Sequence, residues 1–346
     1  MARAPLDVIE QRRVELPTEW LRCPRTRSLL RRDGDRLVAA EGGHVYPVVQ
    51  GIPDFRLFDP PYVTREEERR RVALLAEAAL SRDFAGLVTF YETEVLRDQA
   101  PDRRAWHIEH RLSLPVRAKR RLHGLVEAAR FSPPKVEAGA PVLDLGCGSG
   151  EALSELARIT GGSIVGIDIS LEELVLARKL MEEEGTSALL VAGVAEALPF
   201  ADGMFRFVYS PDVIEHVTSQ PDYLREIHRV LAPGAPTLLN SPNRFSVLNL
   251  EPHVGIWGLG FLPRRLMDPA SRLLGKGPYI GKRLLSLREL RTILSSIFRQ
   301  YTVSGRDSNP QATSLPGRLY HALRSVSVPL FAHVCDQHIV VAVKDR

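Results

Sequence analysis

Asp144 is the first residue along the chain whose setting suggests chemistry. It lies in an apolar run, Val142 to Leu145, and glycines follow at Gly146, Gly148 and Gly150. Glycines at alternating positions let a backbone turn tightly and approach a ligand closely, and a helix expected from Glu151 would aim its free N–H groups at that ligand. Twenty-four residues after Asp144, a second apolar run from Ile164 to Ile167 ends in Asp168. A carboxylate at the end of a second parallel strand is placed to accept hydrogen bonds from ribose hydroxyls. The loop reads Asp-x-Gly-x-Gly-x-Gly and not Gly-x-Gly-x-x-Gly, so it lacks the phosphate cradle of dinucleotide folds. For the glycines alone, a tight strand–helix turn without ligand is the plainer alternative.

A second group lies farther along. Asp212, Glu215 and His216 precede His253, and two carboxylates with imidazoles suit a general base or an Mg²⁺ or Mn²⁺ ion that would depress an acceptor hydroxyl's pKa. His216 is the best-placed base and Glu215 its catalytic companion; capping of the following turn is the structural alternative. An insertion over residues 243–285 then offers Asn243, Arg244, His253, Trp257 and Arg264 as acceptor-binding candidates. Its aromatic and basic residues suit a lid over an amphipathic acceptor or a patch resting on a membrane surface through residues 255–283. An ordinary packed excursion is the competing reading.

The elements that must position these residues follow from texture. Residues 1–15 read as a tail and 16–58 as short β-like pieces with turns at Asp33-Gly34, Gly42-Gly43 and Gly51 to Pro53. A helical linker or cap is expected over 59–135, with its third helix starting near Pro115. The basic stretch Arg117 to Arg121 reads as a solvated helix face. From 136 to 346, short apolar runs alternate with helical patterns, the βαβ signature of a parallel sheet. The expected fold class is therefore α/β: a Rossmann-like, seven-stranded, mostly parallel sheet with helices on both faces, plus a small β-rich N-terminal module and a helical cap.

With Ala195 to Phe200, the run Asp212 to Val217, Leu224 to Gly234 and Ser241 to Asn243 in order after the glycine loop, the sequence resembles class I S-adenosylmethionine-dependent methyltransferases. It is most similar to the type 11 branch that includes ubiquinone and menaquinone biosynthesis methyltransferases. The resemblance implies S-adenosylmethionine as cofactor. Asp144 and Gly146 would line its methionine end and Gly148 the loop below it, Asp168 would bind its ribose hydroxyls, and Ala195 and Glu196 would sit beside its adenine; Cys147, Gly150, Ile169 and Pro211 complete the implied cofactor-binding set. The set Asp212, Glu215, His216 and His253 resembles metal-binding residues of small-RNA 2′-O-methyltransferases and of the ubiquinone O-methyltransferase, although no metal is the leading expectation. Two departures imply altered cofactor affinity: Val194 and Arg206 stand where this branch usually has Asp.

The N-terminal residues Leu21 to Pro24, Leu37, Tyr46-Pro47 and Gly51 to Pro53 resemble the zinc-ribbon-like module of tRNA methyltransferase activators. The ligand positions are Cys23, Thr26, Ala39 and Gly42, and one thiolate cannot hold zinc, so no zinc is expected. His44 nearby is expected at the surface.

Composition bounds the rest. The 346 residues carry 44% hydrophobic and 25% charged side chains, which excludes a disordered or fibrous chain. The net charge of +4 is uneven: residues 259–306 hold ten basic and two acidic side chains, a balance of +8 that leaves −4 elsewhere. Three scattered cysteines, no apolar leader and no long apolar run make a cytoplasmic protein the expectation. Methyl transfer to an O or C atom of a small-molecule, lipid-quinone or glycan-type acceptor is the expected function. An RNA methyltransferase and a non-catalytic cofactor-binding regulator are the alternatives, and nucleic acid is not the expected partner.

Overall fold

The computed structural model describes residues 17–96, 101–247, 250–306, 322 and 327–346. The expected 1–15 tail lies outside them. Four short strands, β1 (Leu30–Asp33), β2 (Arg36–Ala39), β3 (Val45–Val49) and β4 (Ile52–Pro53), pair antiparallel in that order. At the four positions of the zinc-ribbon pattern, Cys23 places its sulfur 3.1 Å from the Tyr46 hydroxyl and Thr26 pairs with the Ser28 hydroxyl at 2.8 Å. The His44 ring fills the space beside Gly42, 3.1 Å from where a Cβ would stand.

Helices α1 (Arg65–Ala78), α2 (Phe84–Phe90) and α3 (Pro101–Ala128) follow, with a π-helical turn at Tyr91–Val95. Thr64 and Asp83 cap α1 and α2 by accepting the N–H groups of Glu67 and Gly86. The third helix corrects the sequence reading: it begins at Pro101, and Pro115 lies inside its 28 residues. Proline suits the first helical turn because its missing N–H costs nothing there, which is why Pro115 reads as a start. A helix this long carries one missing bond on the strength of its neighbours.

Strands and helices then alternate: β5 (Pro141–Leu145), α4 (Leu153–Thr160), β6 (Ser163–Asp168), α5 (Leu171–Glu183), β7 (Ala188–Ala192), β8 (Phe207–Pro211), α6 (Gln220–Val230) and β9 (Pro236–Pro242). The insert contains α7 (Arg264–Leu273), and α8 (Leu287–Ser295), β10 (Gln300–Arg306), α9 (Val328–Val334) and β11 (Gln337–Val343) complete the chain. The seven-stranded sheet has the order β10-β11-β9-β8-β5-β6-β7, and β11 alone opposes its neighbours.

Alternation along the strands builds two cores. Leu143, Leu145, Val165 and Ile167 face Leu224 and Ile227 of α6 and Leu290 and Leu294 of α8. Val142 and Ile164 face the opposite way, with Leu75, Leu87, Leu122 and Leu174 from the helices of that side. The N-terminal module enters the first core through Leu21, Leu37, Tyr46 and Phe55. It also bonds to the large sheet: the Phe55 N–H reaches the Ala192 carbonyl at 2.8 Å, and the Arg22 N–H reaches Pro199 at 2.9 Å. Strand order reverses between β5 and β8, and a ligand crevice forms beyond the carboxyl ends of strands at such a point.

Candidate active site

Asp144 lies near the end of β5, 1% exposed, and its Oδ1 has no hydrogen-bond partner. Burial, reinforced by the carboxylates of Glu151 and Asp168, pushes its carboxyl well above the usual range. Asp168 closes β6. Its Oδ2 accepts the Gly148 N–H at 3.0 Å and its Oδ1 accepts the Ser170 N–H at 2.9 Å. Burial outweighs those two bonds and lifts Asp168 to about 6. Glu151, read in the sequence only as a helix start, is a third carboxyl of the cleft; burial raises it, and the Ser149 hydroxyl bonds it at 2.7 Å. Three crowded acids with an orphaned oxygen among them suit a ligand that brings positive charge and N–H or O–H donors.

The glycine loop works differently from the sequence expectation. The N–H groups of Gly146 and Cys147 both donate to the Ile167 carbonyl, at 2.8 and 3.0 Å, and the Gly150 N–H donates to Cys147. These amides fasten the loop to β6, and α4 begins only at Leu153. The loop therefore shapes the cleft without offering these amides to a ligand. Gly146 has φ +81°, and a Cβ there would stand 2.3 Å from Val213 Cγ2, so only glycine lets the loop lie against the segment after β8. Cys147 turns its sulfur beneath the loop, 2.9 Å from the Cβ position of Gly166, away from the cleft.

Just past β7, Val194 is buried and Ala195 half-buried. Glu196 directs Oε1 at the N–H groups of Thr218 and Ser219, at 2.6 and 3.4 Å, which fixes the turn before α6. The Ile169 carbonyl accepts from Arg56 at 2.9 Å. Arg56 is a residue sequence reasoning missed. It is fully buried between Asp54 and Glu68, with contacts of 2.8 and 2.6 Å, and Glu68 also accepts the Leu171 N–H at 3.1 Å. The network joins the N-terminal module, α1 and the Asp168 loop. Three distant segments contribute to it, so no local pattern announces it. Pro211 ends β8 opposite Asn240.

Beyond β8, ligand atoms of Glu215, His216 and His253 lie within 4.8 Å of one another. Asp212, the fourth member of the sequence set, does not join them. It takes a left-handed φ of +50°, pairs with Arg121 and accepts the Asn240 amide at 2.6 Å. This pairing also corrects the reading of Arg117 to Arg121 as wholly solvated, since Arg121 turns inward. Glu251, another residue the sequence did not mark, sits 2.6 Å from His253 Nδ1 and 3.2 Å from the Tyr279 hydroxyl. Burial, with the neighbouring His253 and Lys282, holds the His216 imidazole down to about 4. Glu215 is 1% exposed, its Oε2 has no partner, and burial beside Asp212 raises its carboxyl far above the normal range.

The other insert candidates hold the insert together. The Asn243 amide donates to the carbonyls of His333 and Cys335, at 3.0 and 2.8 Å. Arg244 clamps the Gly260 and Leu262 carbonyls at 2.8 and 3.0 Å. Arg264 bonds Leu284 and Glu289, and the Trp257 indole N–H reaches Val247 at 2.9 Å. A segment outside the sheet must satisfy its carbonyls with side chains, which explains why these polar groups point inward. Asn243 and Arg244 border a cavity of about 370 Å³ whose wall also includes Glu251, Leu259 and Asp336. Glu251 thus faces both the cavity and His253. The outer surface of the insert exposes Trp257, Phe261, Leu273 and Ile280 beside Arg265, Lys276 and Arg283. Among the described residues, no helix is long and apolar enough to cross a membrane.

Residues 143–239 match the family described as "Methyltransferase domain". The Streptomyces halstedii protein named Methyltransferase GfsG is 37% identical over 101 residues, covering 29% of this chain and 36% of that one. The ubiquinone biosynthesis O-methyltransferase of Ruegeria pomeroyi is 36% identical over 107 residues, covering 31% of this chain and 43% of that one. The chain therefore spans less than half the length of either relative. Among solved structures, Haemonchus contortus phosphoethanolamine N-methyltransferase 2 in complex with S-adenosyl-L-methionine is similar with a TM-score of 0.44 and 19% identity, over 65% of this chain and 53% of that one.

Proposed function

We propose that this chain, whose residues 143–239 are a class I methyltransferase domain, transfers a methyl group to an O or C atom of a small-molecule, lipid-quinone or glycan-type acceptor. The observation that carries the reading is the Asp144–Glu151–Asp168 cleft at the sheet's switch point, with the unpartnered Asp144 oxygen inside it. That donor set fits S-adenosylmethionine, a cation with an amino group and ribose hydroxyls. Asp144 would hold its amino end and Asp168 its ribose, while Ala195 lies on the adenine side. When bound, the cofactor supplies an electrophilic methyl group on a sulfonium. Alignment of the acceptor provides much of the rate of such an in-line displacement.

His216 is the base of this reading. In the tautomers this reading uses, the His253 Nδ1–H donates to Glu251 and the His216 Nε2–H donates to the His253 Nε2 across 3.3 Å. The His216 Nδ1 lone pair is then available to take a proton from an acceptor hydroxyl. Its lowered pKa keeps the imidazole neutral at physiological pH, and Glu251 steadies the pair through His253. A second reading has its own observation: the convergence of Glu215, His216 and His253 fits a divalent cation such as Mg²⁺ or Mn²⁺.

The cavity bordered by Glu251 is a suitable acceptor pocket, and the exposed apolar and basic face of the insert suits an anionic membrane surface. A cytoplasmic setting is supported by three buried cysteines that form no disulfide. In this arrangement residues 136–346 form the catalytic unit, and 16–58 with 59–135 brace it. Calorimetry with S-adenosylmethionine and S-adenosylhomocysteine tests the reading. Micromolar binding of both is expected, and failure of both to bind rejects it.

A further inference from the structure

Arg121 and Arg306 come together although β10 and α3 are far apart in sequence. Arg121 pairs with Asp212 and also donates to the Asn240 Oδ1 at 3.2 Å. One turn along the same helix, Gly124 leaves a gap in the side-chain surface. The Arg306 guanidinium occupies it, with Nη2 2.6 Å and Cζ 3.2 Å from where a Cβ would stand. Glycine is unfavourable in a helix interior, and here it admits a second guanidinium beside the first.

Arg306 ends β10 opposite Gln337, which itself pairs with Pro242 at the end of β9. It is half-buried and has no ion pair among the described residues. The charged groups facing it are Arg121, Asp212 and Glu127; burial and the Arg121 charge lower its pKa. Two sheltered cations therefore face one closely paired carboxylate, on the side of the sheet where Asp144 and Asp212 lie. The Arg306 fork is left open to a ligand, its charge balanced only at longer range by Asp212 and Glu127.

We propose that Arg121 and Arg306 form a binding site for an anionic oxygen group, carboxylate or phosphate, carried by the methyl acceptor. The planar guanidinium forks match the geometry of either group, and burial strengthens the bonds they make. The proposal rests on the methyltransferase reading and narrows its acceptor class to molecules with such a group near the reacting atom. It also gives Gly124 a role: it keeps open the space through which Arg306 reaches the site.

The test uses the full chain saturated with S-adenosylhomocysteine and titrated with inorganic phosphate in one arm and acetate in the other. Binding of at least one anion is expected, and the arm that binds identifies the group. Arg306→Gln should weaken it about tenfold or more, the scale of a charge-assisted bond. Gly124→Ala, which places a methyl group where the guanidinium lies, should weaken it as well without harming the helix. Arg288→Gln, at an exposed position on α8, should leave it unchanged, and S-adenosylhomocysteine affinity should stay within about twofold in every variant. The proposal is overturned if neither anion binds, if Arg306→Gln has no effect, or if S-adenosylhomocysteine affinity falls in parallel with anion affinity. The last result would assign the arginines to the cofactor. Failure of S-adenosylhomocysteine to bind the unaltered chain would instead reject the methyltransferase reading itself.

Discussion

His253 Nε2 lies 3.3 Å from His216 Nε2, although thirty-seven residues separate the two imidazoles in the chain. The first comes from the insert after β9 and the second from the turn after β8. Their rings meet nearly at right angles, 82° between planes. Glu251 holds the far nitrogen of His253, so the insert both covers the site and orients one of its working groups. Under the proposed function, that relationship makes the insert part of the chemistry.

The His216 imidazole should titrate accordingly. With His216 held down to about 4, its ring proton resonances should show an inflection near that pH in an NMR titration, and His216 should stay neutral from pH 5 to 8. Activity that depends on its free lone pair would then fall only as pH drops toward 4. An inflection near the ordinary value of about 6.5 would remove His216 from the role of a base kept neutral by its surroundings.

Metal binding separates the two readings of this centre. If a cation is held, Mn²⁺ titration followed by electron paramagnetic resonance should show one site, lost in Glu215→Gln and weakened about tenfold or more in His253→Ala. Asp212→Asn should leave that affinity nearly unchanged, because Asp212 pairs with Arg121 instead. Uptake that survives Glu215→Gln would place the ion elsewhere.

Asp168 should give cofactor binding a pH dependence. Its carboxyl, raised to about 6 by burial, is neutral below that pH and charged above it. Affinity for the cationic cofactor should therefore fall as pH drops through 6, approaching a tenfold loss per pH unit, and Asp168→Asn should abolish the slope. The effect on folding has the opposite sign. A raised carboxyl favours the unliganded fold most below the unfolded pKa of about 3.9, and that contribution is lost as pH rises through 6. Cofactor should thus raise the melting temperature more at pH 7 than at pH 5.

Arg56→Met should be among the most damaging single changes. It leaves Asp54 and Glu68 buried without their cation, a loss of roughly 3–5 kcal/mol, and removes the contact to Ile169. Urea denaturation measures the loss, and a change below about 1 kcal/mol would contradict the proposed weight of the network.

Vesicle sedimentation addresses the outer face of the insert. Vesicles containing anionic phospholipid should carry the protein down at low salt, with release as salt rises, and neutral vesicles should not. Trp257→Ser and Lys276→Glu should each weaken the association, since Trp257 is 64% exposed and Lys276 lies on the same segment. Equal binding to neutral vesicles would contradict the charge argument.

Much of this molecule was legible in its residues. The short apolar runs and the glycine loop determined the sheet, because strands buried on both faces and positive-φ turns are local demands that a sequence must meet on the spot. Asp144 and Asp168 were legible for the same reason: each ends or nearly ends a strand, and adjacent parallel strands bring their ends together. The long start of α3 was hidden because Pro115 is a local signal overridden by packing.

The tertiary structure alone decided which polar groups meet. Glu215, His216 and His253 converge, while Asp212, of similar spacing and chemistry, turns to Arg121. Asn243, Arg244 and Arg264 look like ligand-binding residues in sequence, yet Arg244 and Arg264 satisfy carbonyls of their own segment and Asn243 those of His333 and Cys335. Arg56 and the Arg121–Arg306 pair leave no local signature at all. The physical reason is common to these cases. A side chain's hydrogen-bond capacity is a property of the residue, but whether a backbone carbonyl, a carboxylate or a ligand uses it depends on what distant chain is packed beside it.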